Sequence, residues 1–168
     1  MAEQLEQATE ASDDSALAMA HLAGRYLTFH LADEVYGTEI LRVREIIGVQ
    51  NITRVPDTEP CLKGVINLRG QVIAVIDLRL KLGMEEAEYT NETCVIIVEV
   101  EGTMVGMISD KVDEVVDLEA ELIEPPPQFG QTTQTGCVMG MGRVDERVII
   151  LLDAEKALAS GQGEGESS

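Results

Sequence analysis

GTEILRVREII, residues 37–47, returns as GMISDKVDEVV at residues 106–116, and this recurrence organises the whole chain. Glycine falls on glycine, Arg42 on Lys111, Val43 on Val112 and Glu45 on Glu114, and Ile46 and Ile47 fall on Val115 and Val116. At the same offset the preceding hairpin LTFHLADEVYG (27–37) aligns with IIVEVEGTMVG (96–106). A second block follows in the same order, GVINLRGQVIAVIDLRLKLG from Gly64 against GMGRVDERVIILLDAEKALA from Gly140. Self-similarity in one register over two ordered blocks marks a unit used twice.

The unit itself reads as β. Leu27, Phe29 and Leu31 alternate with Tyr26, Thr28 and His30, the period-2 pattern of a half-buried strand. VYGTEI, VREIIGV, GVINL, QVIAVI, CVIIVEV, TMVGMI, VDEVVDL, GCVMGMGRV and RVIILL supply further strands. The Asp-Glu, Arg-Gly and Glu-Gly pairs between them read as hairpin turns. Each copy ends as a buried strand, an Asp and a short amphipathic helix, with Asp77 and Asp153 as N-caps and Gly83 and Gly161 as stops. The expected fold is all-β: two pseudo-repeated five-stranded barrels of SH3-like or OB-like kind, sharing a hydrophobic core, with a short helix after each repeat. The expected division is an N-terminal extension (1–24) with a short helix over Ser15–Ala23, one barrel over 25–88, a second over 89–160, and a disordered tail over 161–168. The repeat is compatible with strands exchanged between the barrels.

Charge narrows the function. The formal charge is −19, from 31 acidic and 12 basic residues. Nucleic-acid binding needs a basic surface to release counterions, so an OB-like nucleic-acid binder is disfavoured. Residues 25–84 carry 8 basic and 7 acidic side chains, whereas residues 85–158 carry 4 and 17, so the halves offer different surfaces. No apolar run approaches the ~20 residues of a membrane span, and the acidic start MAEQLEQATEASDD is unlike a signal peptide; the expected compartment is the cytoplasm.

Catalytic chemistry is not suggested. His21 and His30 have no His or Cys at ligand spacing, no Ser sits in a nucleophile elbow, and GMG (140–142) lacks any phosphate-binding context. Cys61, Cys94 and Cys137 are widely spaced among apolar neighbours and read as small buried hydrophobes. No cofactor or metal is expected. Glu45 and Glu114 recur between apolar residues, and a carboxylate there needs a partner; Arg69, at the tip of NLRG, is the candidate for Glu45 in a structural pair. Phe129, after the rigid prolines of EPPPQF (124–129), is a partner anchor or a plug between the barrels.

YGTEILRVREI, GVINLRGQVIAVIDLRLKLG, MVGMISDKVDEVVDL and GRVDERVIILLDAEKAL together resemble the CheW-like domain family, the coupling proteins of chemotaxis, from about Arg25 to Ala159. The resemblance implies a non-catalytic adaptor that joins the cytoplasmic hairpin tip of chemoreceptors to the histidine kinase CheA within membrane-associated arrays. Length implies the free adaptor rather than a kinase or receiver fusion. A receptor groove between the barrels would use Leu27, Ile40, Val43, Ile46 and Val112. A surface for the kinase's regulatory domain would use Ile52, Val55, Lys63, Gly64 and Val72. A second, ring-closing kinase contact would use Gln128 and Phe129. Glu45 and Arg69 match the family's polar pair, either structural or at the edge of the receptor site. Ala74 stands where the family usually has Pro, a departure on the kinase side.

Overall fold

Short apolar runs separated by two-residue turns fold into eleven strands among the residues described, which are 20–56, 58–126 and 137–158 of a computed structural model. Most of the helix expected over Ser15–Ala23, the Gln128 and Phe129 contact, Gly161 and the tail lie outside these residues. In chain order the strands are β1 (Gly24–Leu31), β2 (Glu34–Glu39), β3 (Val43–Gly48), β4 (Leu62–Leu68) and β5 (Gln71–Asp77). Helix α1 (Leu78–Lys81) follows, then β6 (Cys94–Val100), β7 (Thr103–Ser109), β8 (Lys111–Leu118), the two-residue β9 (Ile123–Glu124), β10 (Val138–Val144) and β11 (Arg147–Leu152). A helical turn, α2, covers 154–158.

Four hairpins turn on two residues, at Ala32–Asp33, Arg69–Gly70, Glu101–Gly102 and Asp145–Glu146. The first residue of each pair has φ between 51° and 56°, the left-handed conformation that matches the twist of paired strands. The first turn lies one residue before the Asp-Glu pair that signals it in the sequence.

Two sheets result, ordered β8-β1-β2-β11-β10-β9 and β3-β6-β7-β5-β4. The second sheet is one continuous stretch of chain, 43–109, and the first is built from what precedes and follows it. The repeats are therefore interlocked. Hairpin β1–β2 of the first copy pairs with β8 and, in parallel, with β11 of the second. Hairpin β6–β7 of the second copy pairs with β3 and, in parallel, with β5 of the first.

This exchange explains why the hairpins are so apolar. Tyr26 packs into a small core inside the first sheet with Val116, Leu118, Ile149 and Leu151. Leu27, Phe29 and Leu31 face the other way, into a central core shared with Ile96, Val98 and Met107 of the second sheet. Val95 and Ile97 in turn fill the second sheet's own core with Ile66, Ile73 and Val75. Period-2 alternation predicts one wet face for β1, whereas Tyr26 and Thr28 are as buried as Leu27 and Phe29. A strand sandwiched between two cores has no wet face.

The repeat ends behave alike. The Asp77 carboxylate accepts from Arg79 N at 2.9 Å and that of Asp153 from Lys156 N at 3.2 Å. Each Asp also donates its own N–H to a buried cysteine carbonyl, Asp77 to Cys61 at 2.7 Å and Asp153 to Cys137 at 2.8 Å.

The chain crosses between the sheets twice, through a 3-10 turn at Ile40–Arg42 and through Asp110. Both crossings are clamped. Arg42 donates to Glu155 of α2 at 3.1 Å and to Glu39 at 3.2 Å. Asp110 accepts from Arg79 of α1 (Nε at 2.9 Å, Nη2 at 2.5 Å) and from Ala32 N, in the other sheet's hairpin turn, at 2.8 Å. Burial pushes the Asp110 carboxyl up, but its hydrogen bonds from Arg79 and Ala32 prevail and hold it below the ordinary carboxylate range. A carboxyl depressed in the folded state stabilises above its unfolded pKa of about 3.9, and loses that contribution as pH falls through the folded value. Asp110→Asn is expected to cost about 2 kcal/mol at pH 7. The gap from the parent protein should narrow as the pH is lowered from 5 towards 2. Urea unfolding across that range checks it, and a gap that widens in acid would contradict the clamp.

Candidate functional site

Both strands that follow a sheet crossing, β3 and β8, carry a β-bulge, and the bulges shape an apolar border at the surface. On β3 the register slips between Val43 and Glu45, so Val43 pairs with Val98 and Ile46 with Ile96. Val98 and Ile96 are two apart on β6 and face the central core. Residues directly opposite share a face, so the extra residue turns Val43 and Ile46 to one side although they are three apart. On β8 the equivalent slip pairs Val112 with Phe29 and Val115 with Leu27. Thr28 fills the opening: its Oγ1 accepts from Glu114 N at 3.0 Å and donates to Glu114 O at 2.7 Å, replacing the interrupted ladder.

Two aliphatic pairs, one on each edge strand, thus border the central core where it meets solvent. Leu27 is 3% exposed and forms part of the core beneath them, with Ile40, Val43 and Val112 packed partly buried against it. Ile46 and Val115 are 43% and 49% exposed. Leu41, in the 3-10 turn between β2 and β3, is 85% exposed. Val115 and Leu41 were not singled out by the sequence reading. The repeat contained the signal for Val115, because it aligns with Ile46.

Each of the repeated glutamates takes an arginine from a hairpin turn, or from the residue just after one, in its own sheet. Arg69, in the β4–β5 turn, donates through Nη1 to Glu45 of β3 at 3.1 Å and through Nη2 to its other oxygen. β3 and β4 are the outermost strands of the five-stranded sheet, so the pair joins its edges into a barrel. In the other sheet Arg147 joins Glu114 at 2.8 Å and Asp113 at 2.9 Å. The bonds from Arg69 hold the Glu45 carboxyl below its usual range, and those from Arg147 do the same for Asp113. These pairs are half exposed. His30 Nε2 lies 3.5 Å from the Asp113 carboxylate that Arg147 already holds, and among the described residues no group of three or more His, Cys, Asp or Glu is arranged to hold a metal.

A second surface lies on the five-stranded sheet. Ile52, Val55 and Lys63 line an open depression of about 720 Å³, together with Arg54 and with Glu86 and Tyr89 from the segment between the repeats. Gly64 makes this depression. Its φ is +145°, and a Cβ there would lie 2.1 Å from Thr53 O. Only glycine permits the 52–53 backbone to lie on β4, where Thr53 and Val65 exchange two hydrogen bonds of 2.8 Å. Val72, on β5, is not among the lining residues and is 68% exposed. No helix of the described residues is long and apolar enough to cross a membrane.

The interlocked barrels have known counterparts. A family model for the CheW-like domain matches residues 25–162. The chain belongs to the CheW-like domain family. Within that family it is 40% identical over 146 residues to the chemotaxis protein CheW of Klebsiella aerogenes, covering 87% of this chain and 88% of that protein. It is 34% identical over 134 residues to the chemotaxis protein CheW of Bacillus subtilis, covering 80% and 86%. The scaffolding protein TtCheW of Thermoanaerobacter tengcongensis has a similar structure, with a TM-score of 0.72 at 37% identity, over 77% of this chain and 88% of that one.

Proposed function

We propose that this protein is a non-catalytic chemotaxis adaptor that couples the cytoplasmic hairpin tip of chemoreceptors to the histidine kinase CheA, and thereby places kinase activity under receptor control. The aliphatic border formed by the twin bulges is the main support. Ile40, Val43, Ile46 and Val112, with Leu27 beneath and Val115 beside them, suit an amphipathic helical partner that buries apolar side chains at helical spacing. The border is flanked by charges already paired within the chain, such as Glu45 with Arg69 and Arg147 with Glu114, so docking there strands no charge. The kinase's regulatory domain would sit on the five-stranded sheet at Ile52, Val55, Lys63, Gly64 and Val72. A second contact would use Gln128 and Phe129. On this reading the protein works in the cytoplasm, held at receptor arrays through its partners.

The test is reconstitution with a receptor cytoplasmic fragment and a CheA kinase. Kinase autophosphorylation should respond to the receptor only when all three components are present. A receptor response of equal size without this protein would remove the coupling role.

A further inference from the structure

Cations are scarce in this chain, and nearly all are engaged. Against 31 acidic residues stand 12 basic ones. Arg42, Arg69, Arg79 and Arg147 lock the crossings and barrels, and Lys63 is held by Glu86. Arg54 makes no ion pair with any described residue, although its side chain is exposed in a molecule of net charge −19. It stands on the depression lined by Ile52, Val55 and Leu62. Tyr89 lines the same depression and is the one exposed aromatic among the described residues, since Tyr26, Phe29 and Tyr36 are core.

The lining is preformed. Thr53 is bonded to Val65, Thr58 Oγ1 donates to Val55 O at 2.9 Å, and the Lys63–Glu86 pair ties the segment between the repeats to β4. Little ordering is left to be done on binding. Ile52, Val55, Leu62, the Tyr89 ring and a guanidinium that pairs with no described residue share the depression with Glu59, Glu86 and Glu88, and the first five suit a matching pair of side chains. A large apolar residue can pack against the ring, and a carboxylate can take the forked donors of the arginine.

We propose that Arg54 and Tyr89 recognise an acidic–apolar element of the kinase's regulatory domain, its apolar side chain seated in the depression and its carboxylate on Arg54. This rests on the kinase-facing reading of Ile52, Val55 and Lys63 given above, and it assigns to that face a charge preference that its apolar residues do not carry.

Calorimetric titration of the full chain with a CheA kinase, at low and moderate salt, tests it. Arg54→Gln should weaken binding about 10-fold at low salt and flatten its salt dependence, and Arg54→Glu should weaken it about 100-fold. Tyr89→Ala should cost about 10-fold while Tyr89→Phe binds as the parent does. Arg54 is exposed and pairs with no described residue, so its variants should melt with the parent protein and keep the result readable whatever Tyr89→Ala does to folding. If Arg54→Glu binds within about 2-fold of the parent while Val72→Lys abolishes binding, the kinase face stands and this inference is overturned. If the parent protein binds no kinase, both fall.

Discussion

Val43→Lys is expected to abolish capture of a receptor hairpin fragment, by about 100-fold or more in affinity, while leaving the free protein folded. The reason lies in where the bulge puts the side chain. Val43 is partly buried against the central core at the solvent edge, so in the free protein a lysine stem can run along the apolar surface with its ammonium in water. Once a helix covers the edge, that ammonium is trapped without a counter-ion, because Glu45 is already committed to Arg69. Burying an unpaired charge costs several kcal/mol, more than a helix-in-groove contact can spare. Val43→Ile should bind as the parent does. Pull-down with thermal melting separates the outcomes. Undiminished capture by a folded Val43→Lys protein would remove β3 from the receptor surface.

Gly64→Ala should be the most damaging of the conservative substitutions to stability. The added methyl would meet Thr53 O at 2.1 Å and Ile52 Cγ2 at 2.8 Å, on a backbone whose φ of +145° side chains rarely adopt. Relief requires the 52–53 segment to lift off β4, breaking both 2.8 Å hydrogen bonds to Val65. Strain and two lost bonds together come to about 3–5 kcal/mol, or roughly a 10 °C fall in melting temperature for a domain of this size. Kinase binding should fall in parallel, since the lifted segment carries Ile52 and Arg54. Gly140, its counterpart in the repeat, is the internal control. A Cβ there would meet β9 no closer than 3.2 Å and its φ is unstrained, so Gly140→Ala should cost less than half as much. Equal losses at the two positions would show that the close approach of Thr53 is not what matters.

How far these features could be read in advance depended on their range. Hairpins, caps and the doubling of the unit are local, and Asp77, Gly83 and the two-residue turns stand within one residue of where alternation and turn chemistry place them. Glu45 and Arg69 could be matched because Glu45 recurs as Glu114, Arg69 stands at a hairpin tip and a half-buried carboxylate needs a cation. The interlocking could not be read, because the two hairpins satisfy the same pattern and either would suit either partner. The bulges were equally hidden. Strict alternation along VREII groups Val43 with Glu45 and Ile47, and only the slipped register on β6 turns Ile46 round to join Val43. Arg54 and Tyr89 come from separate loops 35 positions apart, and it is the tied-down segment between the repeats that brings them to one depression.

The two clamps at the sheet crossings have opposite polarity. Where the first copy of the unit offers a cation at its crossing, Arg42, it also ends in a cation, Arg79; the second copy offers Asp110 and ends in Glu155. Interlocked as they are, each crossing meets the ending of the other copy, and both meetings join opposite charges. Two first copies assembled with one another would set Arg42 against Arg79, and two second copies would set Asp110 against Glu155. The clamps therefore act as a keyed joint: each half rejects its own kind and accepts the other, which disfavours the pairing of like halves from two neighbouring chains.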